Sequence, residues 1–129
     1  MKIEKQENEK TVILLPLGDL VYEGIEELEA LLKGLTDESR YIIIDLTFTK
    51  YISAKAISII VEYVKIFRAR RKDLKFVNVN KNIIKLFDIT GIIKIISIFE
   101  NENEVVTSIS PQVGKLEKNL LWSKECINQ

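Results

Sequence analysis

At 129 residues the chain has the length of one domain, and its 47% hydrophobic and 29% charged residues describe a real core under a soluble surface. Lysine plus arginine equal aspartate plus glutamate at 19 each, so no net charge draws the chain to nucleic acid or an anionic membrane. The absence of histidine removes the commonest general base, every Ser-His or Cys-His nucleophile pair and most transition-metal sites, while the single cysteine, Cys126, allows no intrachain disulfide.

The chain opens MKIEKQENEK, without the apolar stretch of a secretory signal. No apolar run approaches the roughly 20 residues that span a bilayer. A cytoplasmic protein without membrane insertion is expected. Val12 to Leu17 is aliphatic, is followed by the turn-like Gly18-Asp19, and reads as a strand paired with a first strand near Ile3 to Gln6. Pro16 inside that run points to an edge or a bulge. From Glu23 to Leu35 the period becomes helical, with Ile25, Leu28, Leu31, Leu32 and Leu35 on one face and acids early, where the helix dipole favours them.

Tyr41 to Leu46 is short, mostly apolar and without alternation, ending in Asp45-Leu46, which suits a central strand covered on both faces. Thr47 to Ser53 connects it to a helix from Ala54 to Arg71, whose predicted buried stripe is Ile57, Ile60, Val61, Val64 and Phe67. The cluster Arg68, Arg70, Arg71 and Lys72 reads as the solvated end of that helix. Leu74 to Val79 is a further strand and Lys81 to Ile89 a short helix, with Gly91 as a left-handed cap. Ile92 to Phe99 is predicted as the last strand, Asn101 to Ile109 as a final helix, and Pro111 ends it. In the remainder, Gln112 to Gln129, Val113, Leu116, Leu120 and Leu121 fall at helical spacing beside Trp122. This extension reads either as a helix docked on the same domain or as a docking element for a partner or a second copy. Strands alternating with helices give an α/β fold with a mostly parallel sheet of four to five strands under about four helices.

Motifs for small-molecule chemistry are missing. The five glycines are scattered, neither a Walker pattern nor a dinucleotide fingerprint exists, and no CxxC, HExxH or EF-hand spacing occurs. No cofactor, metal or catalytic residue is expected, and no nucleic-acid partner. Asp45 and Asp88 read as turn or cap residues, since neither has an evident second carboxylate.

The segments YIIIDLTFTKYISAKAISIIVEYVK, LKFVNVN and NIIKLFDITGIIKIISIFEN together resemble the STAS family, which covers sulphate-transporter C-terminal domains and bacterial anti-sigma factor antagonists. The resemblance runs from about Val12 to Ile109. It includes Gly18-Asp19-Leu20 as a common early turn, and Ile84 to Ile96, with its LFDxxGxxKII wording, is its most specific part. It implies a STAS-like domain over 1–110, after which the extension over 111–129, helical by its spacing, stands apart.

In the antagonist branch the loop after the central strand reads Asp-Ser-(Ser/Thr)-Gly, and a partner anti-sigma kinase phosphorylates the first serine. Aligned without gaps, that tetrad falls on Ser53, Ala54, Lys55 and Ala56. The acceptor position is alanine, so the resemblance implies a module without the usual phosphoswitch. Ser53 reads as a helix N-cap, worth roughly 1 kcal/mol, or as an acceptor displaced by one residue. Lys55 puts a cation near the positive helix pole, which suggests that it meets an anionic partner. Ser58 is a further hydroxyl one turn on, and Asp19 reads equally as turn-former and as contact.

The expected docking surface is therefore Asp19, Lys50, Tyr51, Ser53, Ala54, Lys55 and Ser58. Its partner would be a protein, such as an anti-sigma factor with a histidine-kinase-like ATPase fold. The other reading is a structural STAS subunit of a larger signalling or lipid-transport complex, with a homodimer formed through the C-terminal segment.

Overall fold

A computed structural model describes residues 2–100. β1 (Ile3–Glu7) and β2 (Thr11–Pro16) form a hairpin, followed by α1 (Glu23–Gly34), β3 (Tyr41–Asp45), α2 (Ala54–Ala69) and β4 (Leu74–Val77). α3 (Lys81–Ile89), a 3-10 turn (Ile92–Lys94) and β5 (Ser97–Phe99) complete the described chain. The strands lie in sequence order; β1 is antiparallel to β2, and β2 to β5 are parallel.

That order decides where the helices go. Each parallel step needs a right-handed crossover, and successive crossovers in one direction put every helix on the same face of the sheet. The core agrees. Val12, Leu14, Ile42, Ile44, Leu74 and Phe76 from one sheet face join Leu28 and Leu32 of α1, Ile60 and Phe67 of α2, and Ile83 and Phe87 of α3 in one cluster. The Phe76 and Phe87 rings meet edge to face at 6.0 Å.

This is the α/β architecture expected from the sequence. Three α-helices stand among the described residues. The predicted helix over 101–109 and the extension over 112–129 lie outside them. Among the described residues no helix is long and apolar enough to cross a membrane.

Four local expectations are corrected. β2 pairs on both sides and is not an edge; Pro16 is its last residue, beyond the Leu14–Ile44 limit of pairing with β3, so its missing N–H interrupts nothing there. α2 buries Ala56, Ile59, Ile60, Tyr63, Val64 and Phe67, leaving Ile57 and Val61 half-buried. Apolar residues occupy more than half of its circumference, so periodicity alone did not select the face. β4 stops at Val77, two residues early, because Asn78 turns into a left-handed conformation at φ 55°. The last strand is only Ser97–Phe99: Gly91, at φ 80°, curls the chain into the 3-10 turn so that Ile92 reaches the core.

At the N-terminal ends of the parallel strands the loops are held by charge. The Arg40 guanidinium donates to Glu7 at 2.8 Å, to Glu38 at 2.9 Å and to the Asn8 carbonyl at 3.2 Å. These hydrogen bonds with Arg40 lower the Glu38 carboxyl from the usual 4.5 to about 2. Arg70 pairs with Asp37, and Arg68 with Asp73 at 3.4 Å, so the arginine cluster is a solvated helix end tied to its neighbours.

Candidate functional site

At the other end, the C-terminal ends of β2, β3 and β4 lead into three loops that interlock. The Asp19 carboxylate accepts from the backbone N–H of Lys50 at 2.8 Å and of Tyr51 at 3.1 Å. The Thr49 hydroxyl donates to the Gly18 carbonyl at 2.9 Å. Leu20 and Ile52 form a short parallel bridge, through Leu20 N–H to Tyr51 and Ser53 N–H to Leu20. From the third loop, the Asn80 amide donates to the carbonyls of Thr49 at 3.1 Å and Lys50 at 3.3 Å. The Asn80 side-chain oxygen also caps α3 by accepting from Ile83 N–H at 2.9 Å.

Asp45 closes the base of this arrangement. It is buried at the end of the central strand, and one oxygen accepts from Thr47 N–H at 2.9 Å, Thr47 Oγ1 at 2.6 Å and the Asn78 amide at 3.1 Å. Leu20, Leu46, Thr49 and Ile52 are buried beneath the loops. The backbone of the segment from Leu46 to Ser53 is thus held from below and from both sides.

What the loops present outward is different. Tyr22 is 87% exposed, Tyr51 55% and Phe48 54%, with Lys50 and Lys55 exposed beside them. A cleft of about 510 Å³ runs between the starts of α1 and α2, lined by Tyr22, Glu26, Tyr51, Ser53 and Lys55 over Val21 and Ile25. Tyr22 stands at the N-cap of α1 with φ 47° and ψ −114°, and no side chain caps that helix. A non-glycine residue in this region costs on the order of 1–3 kcal/mol.

The sequence-predicted residues fall on this surface as follows. Asp19 directs its carboxylate to the Lys50 and Tyr51 amides and is half-buried. Ser53 is the N-cap of α2, its hydroxyl accepting from Ala56 N–H at 3.2 Å. Ala54 and Lys55 are exposed in the first turn, and Ser58, also exposed, donates its hydroxyl back to the Ala54 carbonyl at 3.2 Å. Asp19, Lys50, Tyr51, Ser53 and Lys55 come together; Ser58 lies one turn along the helix.

Sequence reasoning missed Tyr22, Phe48 and Asn80. Tyr22 left a signal, an aromatic where a helix start ordinarily has Ser, Thr, Asp or Asn. Asn80 left one too, an asparagine directly before a helical period. Phe48 left none. Among the described residues no group of three or more carboxylates or other ligands could hold a metal.

The family model described as STAS domain matches residues 2–105. No curated protein matches the chain in sequence. Among solved structures, an anti-sigma factor antagonist from Mycobacterium paratuberculosis is similar at TM-score 0.72 and 12% identity, covering 83% of this chain and 92% of that one. An anti-sigma-factor antagonist (STAS) domain protein from Planctomyces limnophilus follows at TM-score 0.70 and 12% identity, covering 84% and 97%. The Bacillus cell fate determinant SpoIIAA, in its phosphorylated form, matches at TM-score 0.65 and 14% identity over 84% and 99%.

Proposed function

The chain belongs to the STAS domain family, and on that premise we propose that it is a non-catalytic module that docks on a protein through the surface from Lys50 to Ser58. The observation that carries this reading is the contrast within the site: a backbone fixed by Asp19, Thr49 and Asn80 holds the Tyr22, Phe48 and Tyr51 rings in solvent. Aromatic rings on a rigid frame are a low-entropy contact surface, and such residues are enriched where proteins bind one another. The similar structures are named as antagonists of anti-sigma factors, which act on another protein. The partner we assign is accordingly an anti-sigma factor of the kinase-like ATPase type, met in the bacterial cytoplasm to regulate transcription.

The same loop supports docking without a phosphoswitch. A phosphate at a helix start would meet the open amides and the positive pole of α2. Ala54 has no hydroxyl to receive it, and the Ser53 hydroxyl is engaged with Ala56 N–H. Lys55 supplies a fixed positive charge to the same rim.

The test is capture from the native cells with three forms of the full chain: unchanged, Tyr51→Ala with Lys55→Glu, and Ile89→Ser, an exposed site at the far end of α3. The retained protein should vanish with the first variant and persist with the second. Equal retention by all three removes the docking surface from this loop. Phosphate found on Ser53 of the cellular chain removes the unswitched part of the reading.

A further inference from the structure

Among the described residues β1 pairs with β2 alone, which makes it an edge of the sheet, and a shallow trough of about 430 Å³ runs along it, lined by Lys2 to Glu7. The pairing with β2 fixes which backbone groups face outward. Leu17 N–H donates to the Lys2 carbonyl at 2.9 Å and Asn8 N–H to the Thr11 carbonyl at 3.0 Å, so the even-numbered residues of β1 turn their polar backbone groups inward. Ile3, Lys5 and Glu7 direct theirs away from the sheet, where no described strand meets them. Such a row of donors and acceptors is a template for a further strand.

We infer that the strand that fits this edge is β1 of a second copy of the chain, antiparallel about a two-fold axis normal to the sheet. Such an axis keeps the helices of both copies on one side and sets residues of the same face opposite one another. The side chains then choose the register. Centred on Glu4 or on Glu7 the pairing opposes two carboxylates, and centred on Lys5 it opposes two ammonium groups, each destabilising at directly opposite positions. Centred on Gln6 it opposes two neutral amides, and Lys5 falls against Glu7 of the second copy on both sides of the axis. In that register the outward N–H and C=O of Lys5 and Glu7 exchange four hydrogen bonds across the axis. Both side chains are exposed, and within one chain Lys5 Nζ already lies 3.9 Å from Glu7 Oε1. Arg40 fixes the same carboxylate at 2.8 Å, so a further ion pair there orders little that is not ordered already. Charged residues ordinarily guard an exposed edge, but the order Lys5-Gln6-Glu7 is complementary to its own reverse.

The contact is small for a protein interface, so a covalent trap is the direct readout. In the full chain with Cys126→Ser, Gln6→Cys should oxidise to a disulfide-linked dimer, because opposite residues of a non-hydrogen-bonded pair stand about 4.5 Å apart at Cα, within disulfide reach. Lys5→Cys should form little, since the two positions are offset by two residues and stand about 8 Å apart. Ile89→Cys, at an exposed site on α3, sets the rate of chance collision. Gln6→Cys should be trapped at least about tenfold faster than either. Adding Lys5→Glu, which sets carboxylate against carboxylate, should slow that trapping about tenfold. Adding Lys5→Pro instead removes one outward N–H without touching a bond to β2, and should slow it as much. Equal rates at the three positions overturn the inference, and so does faster trapping at Lys5→Cys. Trapping that persists with both Lys5→Glu and Lys5→Pro also overturns it, because another surface then brings the chains together. Tyr51→Ala with Lys55→Glu should leave the trapping rate unchanged, since the loop surface of the proposed function is separate from this edge.

Discussion

The two ends of the parallel strands are cross-linked differently. At the N-terminal end, ion pairs dominate, Arg40 with Glu7 and Glu38 and Arg70 with Asp37, and the same arginines also donate to the carbonyls of Asn8 and Thr36. At the C-terminal end, side chains hold backbone: Asp19 takes two amides of the neighbouring loop, and Asn80 gives to two of its carbonyls. Charges that saturate one another leave little for an outside molecule. A loop fixed through its main chain keeps its own side chains available, and here those are Phe48, Lys50 and Tyr51, with Tyr22 adjoining.

Removing the anchors should break this difference, and the deepest anchor matters most. Asp45→Ala strips acceptors from Thr47 and Asn78 in a buried setting, and an unmet buried donor costs about 1–3 kcal/mol. A loss of about 3 kcal/mol in urea unfolding is expected, together with weakened capture of the partner. Asp19→Ala releases two amides nearer to solvent, so its cost should be about 1–2 kcal/mol. Its effect on affinity should exceed its effect on stability, since it frees the segment that carries Tyr51. Asp19→Ala with intact affinity would show that the frame is not what positions the rings.

Tyr22→Gly sharpens the comparison by reversing the sign. Glycine adopts positive φ without steric cost, so the domain should gain roughly 1 kcal/mol while affinity falls. A strained, exposed residue whose relief stabilises the fold is retained for an external reason. If Tyr22→Gly binds as tightly as the unchanged chain, the ring is not part of the docking surface.

Much of the fold was legible because it rests on local period. The run Ile42-Ile43-Ile44 read as a strand covered on both faces, and all three residues are buried. Leu28 and Leu32 marked the inner face of α1, and Gly91 marked the turn after α3. The segment Ile92 to Ile96 was misread because β-branched residues favour strands, whereas its role is to fold back from Gly91 and cover the core. For the site, the loop after β3 was found through the family resemblance, which sets the phosphorylation tetrad on Ser53 to Ala56. Its fixation could not be read there, since Asp19 and Lys50 stand far apart in sequence and meet only when β2 and β3 pair. The exposure of Phe48 follows from tertiary geometry alone.

The smallest expected effect concerns the end away from the docking loops. Arg40 holds the Glu38 carboxyl at about 2 in the fold, below the 4.5 it has in the unfolded chain. Between those values the unfolded state binds more protons than the folded state, so the stability this pair supplies is complete above about pH 4.5 and lost as pH falls through about 2. Solvent screens the pair, so the change should be modest. Arg40→Ala should flatten the stability profile across that window and leave partner affinity unaltered, measured by urea unfolding at stepped pH beside the capture assay. An unchanged slope would mean that Glu38 is held by groups other than Arg40. A fall in affinity would mean that the two ends of the sheet are coupled, and that fixing the loops through their main chain does not isolate them from the charges beneath.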